Sequence, residues 1–296
     1  MIDFVNAKIN IGLQIVGKRE DGYHNLQTVF YPIGKKAGLP SNPTIFCDIL
    51  EIIKEDRGKT KNTEYIFSGK KVDCPEEQNL VCRAVNIYRE VTGFDAELTV
   101  TLDKHLPDGA GIGGGSADAA FTLRMLSQID RECRGIGPDD RELADMALKL
   151  GADCPFFIYN RPMVGEGIGE KLSEIKLNLE GYWLLLVKPE IRVSTKEAFS
   201  GIVPKATEFD LSLLPSLQIE EWQGIIKNDF EESIFPKFPK LRELKHCLIE
   251  SGAMYASMTG SGSALYGIYR NQEEGEKAKK QFEVDTTLEG VYLLKL

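Results

Sequence analysis

Several patterns that would place a protein in a specialised class are missing from this sequence of 296 residues. The six cysteines form no C-x-x-C pair and show no metal-finger spacing. No apolar run approaches the roughly 18 residues of a membrane span. The opening residues, MIDFVNAKIN, contain no basic region followed by an apolar one, so no secretory signal is visible. We therefore expect a cytoplasmic protein without a membrane partner, whose reduced cysteines pack as small core residues.

Positive charge is also in deficit. The chain has 36 Lys and Arg against 45 Asp and Glu, which gives a net charge of −9. Such an excess of acid argues against nucleic acid and against a membrane surface as partners. A phosphate ligand stays compatible with it, provided that backbone N–H groups and a few lysines supply the local positive field. The length suffices for one large domain or two of ordinary size.

An alternation of polar and apolar residues marks the start of the chain. Over 8–16, KINIGLQIV, every second residue is apolar, which predicts a half-buried strand. The polar face of this strand would carry Lys8 and Asn10 side by side. A turn at Asp21-Gly22 then leads into a second predicted strand.

Helices and strands are mixed along the rest of the chain, without regular βαβ repeats. Apolar periodicity predicts helices over 79–91 and 238–252 and strands over 96–102 and 182–187. A shift in composition near 155–165 is the best place for a domain boundary. The sequence therefore predicts an α+β fold with two lobes, 1–158 and 159–296.

The stretch LPDGAGIGGGSADAA, residues 106–120, is the most informative motif. Gly109 to Gly114 match the pattern G-x-G-x-x-G, and Ser116 is well placed to cap the helix predicted after it. Glycines permit positive φ and let backbone N–H groups approach a ligand closely. At the positive end of a helix dipole they would create an anion site that fits a phosphate. A flexible glycine-rich surface loop is the competing interpretation.

Two familiar nucleotide motifs do not fit this loop. A Rossmann loop follows the first strand of a βαβ unit, whereas this one lies past residue 100 and is separated from its strand by KHLP. No acidic residue ends a second strand about 20 residues further on, since Asp130 falls in a helix. No G-x-x-x-x-G-K-[ST] motif occurs either. The loop therefore indicates a phosphate site of another kind.

The loop resembles the P-x-x-x-G-L-G-G-G-S-S-[DN]-A-A signature of the GHMP small-molecule kinases. Further segments fit this family in order: NAKINIGLQIVGKREDGYHNLQTVF, LGADCPFF, GEGIGE, NDFEESIF and MTGSGSALYGIY. The resemblance therefore spans nearly the whole chain. It implies a two-lobed GHMP-kinase-like fold with the active site in the cleft between the lobes. The lobe 1–158 would bind ATP, and 159–296 would be the C-terminal GHMP-type lobe.

The resemblance also implies where ATP and the catalytic groups lie. The residues expected to hold ATP are Pro107, Asp108, Gly109, Ala110, Gly111, Ile112, Gly113, Gly114, Gly115, Ser116 and Ala117. Lys8 and Asp153 match the catalytic lysine and aspartate of the family. Read alone, they are an ordinary strand lysine and an ordinary turn aspartate. No cluster of carboxylates marks a metal cage, so Mg²⁺ is expected to arrive with ATP.

The segments DGYH and LGADCPFF are specific to one branch of the family. That branch implies a small-molecule substrate that is a cytidine diphosphate derivative, in the non-mevalonate pathway to isoprenoid precursors. Tyr23 and His24 would hold the cytosine from one side and Phe199 from the other, with Thr195 nearby. Asn10 would reach the polyol end of the substrate. We expect a monomer or a weak homodimer.

Three alternatives stay open at this point. The chain could be a GHMP-type kinase for another alcohol, such as homoserine or mevalonate. It could be a nucleotide-binding relative that has lost catalysis, although it keeps both Lys8 and Asp153. A Rossmann oxidoreductase is the most distant alternative.

The chain departs from the family pattern in two places. Ala117 stands where the family has a second serine, so that hydroxyl is absent or its role has moved. Segment 34–46 resembles an insertion of roughly ten residues, long for a strand connection. It could be a lid or only a surface loop. TGSGS, at 259–263, is a second glycine turn that the resemblance makes a wall of the phosphate site.

Overall fold

The computed structural model describes residues 1–34, 46–55, 62–71 and 74–296. All of the predicted insertion at 34–46 except its two end residues lies outside this part of the chain. Contacts divide the chain into two compact units that interleave along the sequence. The first unit is Met1–Ala7, Lys35–Asp108 and Gly113–Arg161, and the second is Lys8–Gly34, Gly109–Ile112 and Pro162–Leu296. No helix in the described ranges is long and apolar enough to cross a membrane.

The structure contains strands and helices in both units. The strands are β1 (Ile2–Val5), β2 (Ala7–Lys18), β3 (His24–Ile33), β4 (Asp48–Lys54), β5 (Thr63–Gly69), β6 (Leu98–Lys104), β7 (Met163–Gly167), β8 (Lys171–Glu174), β9 (Trp183–Pro189), β10 (Tyr255–Met258), β11 (Leu265–Tyr269) and β12 (Leu288–Lys295). The α-helices are α1 (Leu80–Thr92), α2 (Gly114–Arg134), α3 (Asp140–Leu148), α4 (Cys154–Tyr159), α5 (Thr195–Phe199), α6 (Ile219–Trp222), α7 (Phe230–Ile234), α8 (Pro239–Glu250) and α9 (Gln272–Phe282). Short 3₁₀ helices lie at Glu76–Gln78 and Leu211–Ser216.

The first unit is a four-stranded sheet with helices packed on it. The strand order is β1-β4-β6-β5, and only the β5–β6 pair is parallel. In β6, Leu98, Val100 and Leu102 alternate with partly exposed residues and point into the core. Because side chains of a strand alternate, the next residue on this inner face is Lys104. A lysine is thereby carried into the core beside α2.

The predicted cap of α2 is wrong. The helix begins at Gly114, after Gly113 has taken a left-handed φ of 72°, and Ala117 N donates to Gly113 O at 2.8 Å. Ser116 therefore lies inside the first turn instead of at the cap. The physical reason is that three successive glycines let the chain enter helical geometry earlier than a serine cap would.

The second unit contains two four-stranded sheets, ordered β2-β3-β7-β8 and β10-β11-β9-β12. One core of this unit forms where β9 and β11 pack against helices of the C-terminal half, with Leu185, Val187, Leu244 and Phe282 among its buried side chains. The strand predicted over 8–16 lies within β2. Its prediction as half-buried is wrong, because every residue from Ala7 to Ile15 is buried.

Loops of the second unit hydrogen-bond to the backbone of β2 along its edge. Lys8 N donates to Ile112 O at 3.0 Å, and Leu13 N donates to Lys227 O at 2.9 Å. Loops therefore run along the strand, and their backbone oxygens give its polar groups hydrogen-bond partners. The burial of Lys8 and Asn10 follows from this arrangement.

Candidate active site

The first half of the glycine loop has a conformation that requires glycine. Gly109, Gly111 and Gly113 have φ values of 59°, 72° and 72°, in the left-handed region. A Cβ on Gly111 would lie 2.1 Å from Thr259 O, a backbone atom of the same unit. Position 111 therefore requires glycine, both because of its backbone conformation and because a side chain would have no room.

Gly114 and Gly115 are different, because the folded chain does not need glycine there. Neither has a positive φ, and a Cβ would meet its nearest neighbour at 3.6 Å and 3.8 Å respectively, which is ordinary contact. Glycine inside a helix costs about 1 kcal/mol relative to alanine. What the two residues provide is a bare backbone in the first turn of α2, whose N–H groups have no partner within the helix. This donor set fits a phosphate.

The second glycine turn braces the loop inside the second unit. Thr259 Oγ1 donates to Gly111 O at 3.1 Å, and Ser263 N donates to Gly109 O at 3.3 Å. The Asn228 side-chain amide in turn donates to the backbone oxygens of Met258 and Gly260, at 2.8 and 2.9 Å. The segment 259–263 therefore lines Gly109–Ile112, while its role as a wall of a phosphate site stays a prediction.

Lys8 and Asn10 lie beside this part of the loop, and only 3% and 2% of their surfaces are exposed. Lys8 Nζ donates to Asn10 Oδ1 at 2.6 Å and to Gly111 O at 3.1 Å. Asn10 Nδ2 donates to Thr28 Oγ1 at 3.0 Å, and that hydroxyl donates to Gly12 O at 2.6 Å. This chain of bonds fixes the orientation of the Asn10 amide. No sequence motif singled out Thr28, although it lies on the neighbouring strand β3.

Asp153 belongs to the first unit, at the start of α4. It is half-buried and has helical backbone angles, and its carboxylate does not cap the helix. The next residue, Cys154, is fully buried, and its thiol is hydrogen-bonded to the Ser116 side chain. Burial raises the pKa of Cys154 to about 12, so the thiol stays protonated. The Ser116–Cys154 bond therefore ties the residue after Asp153 to the first turn of α2.

The aromatic residues expected around a base lie in the second unit. His24 and Phe199 stack directly on each other, with ring centroids 5.0 Å apart and 19° between planes. The sequence prediction put them on opposite sides of a base, which would require the two rings to separate. Tyr23 is 61% exposed, and Thr195 is exposed at the start of α5. The rings of Phe199 and Phe230 form a T-shaped contact, with their centroids 4.8 Å apart.

A buried ionic cluster behind the glycine loop, formed by Asp48, Lys104 and Asp118, was not predicted. Lys104 Nζ donates to Asp48 Oδ2 and, at 2.7 Å, to Asp118 Oδ2. Burial raises the pKa of Asp118. The positive charge of Lys104 lowers this pKa, and the negative charge of Asp48 raises it further. Burial opposes the charge on Lys104, but its two carboxylate partners prevail and raise its pKa. The sequence does indicate that Lys104 is buried, because the alternation of β6 places it on the same face as the apolar residues Leu98, Val100 and Leu102.

The described residues contain few side chains that could bind a metal ion together. No group of three or more His, Cys, Asp or Glu side chains in this part of the chain could hold a metal ion. The donors at the glycine loop are backbone N–H groups, which bind anions. These residues fit the phosphates of a nucleotide, and a divalent cation would be held there largely by those phosphates.

Comparison with protein families defines the class. The family described as GHMP kinases N terminal domain matches residues 79–161, and GHMP kinases C terminal matches residues 211–284. The chain belongs to the GHMP kinases. It is an ATP-dependent small-molecule kinase, and the predicted α+β fold of the GHMP type is confirmed.

The relatives narrow the class further. The chain is 43% identical to a 4-diphosphocytidyl-2-C-methyl-D-erythritol kinase of Parabacteroides distasonis over 91% of this chain and 92% of the relative. It is 37% identical to a kinase of the same name in Cytophaga hutchinsonii, over 93% and 94%. Within the GHMP kinases it therefore belongs to the family of 4-diphosphocytidyl-2-C-methyl-D-erythritol kinases.

Solved structures agree with this placement. A crystal structure of 4-(cytidine 5'-diphospho)-2C-methyl-D-erythritol kinase matches with a TM-score of 0.76 and 27% identity, and each chain is covered completely. A homoserine kinase from Cytophaga hutchinsonii matches with a TM-score of 0.69 and 17% identity, over 99% of this chain and 95% of that one. The second likeness shows the shared fold alone.

Proposed function

We propose that the protein transfers the γ-phosphoryl group of ATP to the 2-hydroxyl of 4-diphosphocytidyl-2-C-methyl-D-erythritol, a step of the non-mevalonate pathway to isoprenoid precursors. The names of the relatives support this acceptor. The observation that carries the proposal is the buried Lys8–Asn10 pair, whose ammonium group donates to the carbonyl of Gly111 in the glycine loop. The strand that carries Lys8 and Asn10 and the first half of the glycine loop, 109–112, thereby meet in the second unit.

The glycine loop would hold the phosphates of ATP. The N–H groups in the first turn of α2, from Gly114 to Ser116, would donate to phosphate oxygens, and the helix dipole favours the negative charge there. Thr259 and Ser263 would keep the first half of the loop in place through the hydrogen bonds described above. Positioning of this kind supplies most of the catalysis in phosphoryl transfer, because the protein does little covalent chemistry.

Asp153 and Lys8 would serve the reacting atoms. Asp153 is half-buried and its carboxylate does not cap α4, which suits a group that accepts the proton of the attacking hydroxyl. In a loose transition state this proton leaves late, so the carboxylate also orients the hydroxyl before transfer. Lys8 would steady the negative charge that develops during transfer.

The cytosine would bind at the His24–Phe199 stack. The two rings form a preformed aromatic platform, and Phe230 packs against Phe199 in a T-shaped contact. Tyr23 is exposed two residues after the Asp21 turn and would close over the base, while Thr195 lies at the start of the same helix as Phe199. A lone base is held in this way by stacking and by hydrogen bonds to its edge. Asn10 would meet the polyol end.

Further features belong to this proposal. Mg²⁺ would enter with ATP, held largely by its phosphates. We propose that the protein acts in the cytoplasm as a monomer or a weak homodimer, on a small molecule and not on a nucleic acid. The lobe boundary at 158/159 stays a prediction.

The release of ADP from ATP and Mg²⁺ tests the acceptor. The assay compares the diphosphocytidyl methylerythritol with homoserine and with mevalonate. We expect turnover with the cytidine compound alone. Turnover with only another alcohol would overturn the proposed acceptor and keep the nucleotide site. Binding of ATP without any turnover would overturn the catalytic assignment.

A further inference from the structure

The Asp48–Lys104–Asp118 cluster lies directly behind the proposed phosphate site. Lys104 Nζ is 3.6 Å from the position that a Cβ on Gly114 would occupy, so the ammonium group lies close to the first residue of α2. Asp118 is in the second turn of the same helix and accepts from Lys104. The cluster is therefore within short electrostatic range of any anion bound at the amino end of α2.

The two carboxylates of the cluster are not equivalent. Asp48 Oδ1 accepts from His105 N at 2.6 Å and from Leu106 N at 2.8 Å, and Asp48 Oδ2 accepts from Lys104. Asp118 Oδ2 accepts from Lys104, the Asp118 side chain is also within hydrogen-bonding reach of the Asp48 side chain, and no described residue donates to the buried Oδ1 atom of Asp118. Hydrogen bonds to the charged form favour that form, and Asp48 accepts three of them against one for Asp118.

Asp118 is accordingly the carboxyl group that carries a proton when the cluster has one. It is only 2% exposed, and burial disfavours its charge. The charged groups that act on it among the described residues are Lys104 from β6 and Asp48 from β4. The first attracts the ionised form and the second repels it.

We propose that Asp118 is a positioning residue for ATP, and that it takes up a proton when the phosphates bind at the amino end of α2. With Asp118 ionised, the cluster holds one cation and two anions, a net charge of −1 behind the phosphate site. With Asp118 protonated, the cluster is neutral. Phosphates therefore bind better to the protonated form, and by linkage their binding favours protonation.

The direction of the pH effect follows. Burial raises the pKa of Asp118 to about 7, so the carboxyl changes charge near neutrality. As the pH rises through this range the cluster becomes negative, and the affinity for ATP falls. The side chain of the Asp118→Asn variant cannot ionise, so this variant lacks this part of the pH dependence.

The experiment measures ATP binding by calorimetry on the full-length protein, from about pH 6 to about pH 8, in buffers of different ionisation enthalpy. ATP itself titrates in this range, but equally with every variant, so the comparison isolates the protein. Asp103→Asn is the matched control: it removes an acid from the same strand as Lys104, but Asp103 lies on the opposite, partly exposed face of β6, bonded to Ser68 and His105.

We expect the affinity of the wild type for ATP to fall with pH roughly threefold to tenfold more than that of Asp118→Asn, and only the wild type and Asp103→Asn to show the extra proton uptake. Equal pH dependence in wild type and Asp118→Asn would overturn the inference. If Asp118→Asn does not fold, Asp48→Asn serves, because Asp118 then pairs with Lys104 alone and stays ionised.

The inference rests on the proposed nucleotide site, and the same titration separates the two. Tight ATP binding without a difference in proton uptake would contradict the role of Asp118 and leave the site intact. Failure of the wild type to bind ATP at any pH would contradict the site itself. Loss of ATP binding in Asp118→Asn at all pH values, with the fold intact, would assign the carboxyl a direct structural role and overturn proton uptake.

Discussion

At the scale of single residues, Asp153 carries the most specific part of the proposed mechanism. We predict that Asp153→Asn leaves the affinity for ATP nearly unchanged and lowers turnover by at least about 100-fold, because the amide cannot accept the proton of the hydroxyl. Steady-state kinetics with both substrates measure this, with Asp140→Asn, at the exposed start of α3, as the control. Full activity of Asp153→Asn would remove Asp153 from the mechanism.

Tyr23 tests the cytosine site. The side chain is 61% exposed, so Tyr23→Ala should leave the stability unchanged. We predict a rise in KM for the cytidine substrate that exceeds any rise in KM for ATP, since stacking on a base is lost. Phe67→Ala, which truncates a partly exposed aromatic side chain of the first unit, is the control. An unchanged KM for the cytidine substrate would place the base at another site.

The raised pKa of Asp118 leads to a further prediction, on how the stability of the folded chain depends on pH. Its pKa is raised from 3.8 to about 7, mainly by burial. Between these values the folded chain binds more protons than the unfolded chain, so the contribution of Asp118 to stability falls as the pH rises through this window. We predict that Asp118→Asn gains stability relative to wild type from about pH 4 to about pH 7 and no more above it. Denaturant unfolding at each pH measures the gain; a constant difference would contradict the raised pKa.

At the level of elements, glycine has a different role in the loop and at the start of α2. Gly111 is required by the backbone conformation and by the space around it, whereas Gly115 leaves the helix backbone uncovered. Gly111→Ala would place a methyl group 2.1 Å from Thr259 O in a left-handed backbone, so we predict a loss of both stability and ATP binding. Gly115→Ala meets no clash and gains helix propensity of about 1 kcal/mol, so we predict equal or higher stability with a raised KM for ATP.

Thermal unfolding and the KM for ATP, measured together, distinguish the two variants. A Gly115→Ala enzyme with unchanged KM for ATP would show that phosphate does not approach the backbone of α2 there. A Gly111→Ala enzyme of normal stability would contradict the packing of Gly111 against Thr259.

The elements also show what local sequence patterns can predict. The period of two over 8–16 predicted β2, and the glycine motif predicted an anion site at a helix start. The burial of β2 was beyond that pattern, because it depends on loops distant in sequence, such as 109–112 and 227–229, which hydrogen-bond to the backbone of the strand. The start of α2 was misplaced because three adjacent glycines compete with the Ser116 cap. Lys104 was missed because the alternation of β6 places it on the apolar face but does not identify its partners Asp48 and Asp118.

At the scale of the whole molecule, the chain passes between its two units more than once. Residues 8–34 and 109–112 belong with the C-terminal half, and the glycine motif is divided between the units after Ile112. Local periodicity contains no information about such exchanges, since they depend on contacts between segments about a hundred residues apart. Periodicity predicted the α+β class, and the matches at residues 79–161 and 211–284 identified the GHMP family within that class.

Phosphoryl transfer to the 2-hydroxyl is best tested by identifying the product. NMR spectra would be recorded after reaction with ATP, Mg²⁺ and 4-diphosphocytidyl-2-C-methyl-D-erythritol. The account predicts one new phosphomonoester, coupled to the carbon that bears the 2-hydroxyl, and ADP in equal amount. A phosphate on another hydroxyl would contradict the placement of the acceptor by Asn10 and Lys8. ADP without a new ester would contradict phosphoryl transfer to this substrate.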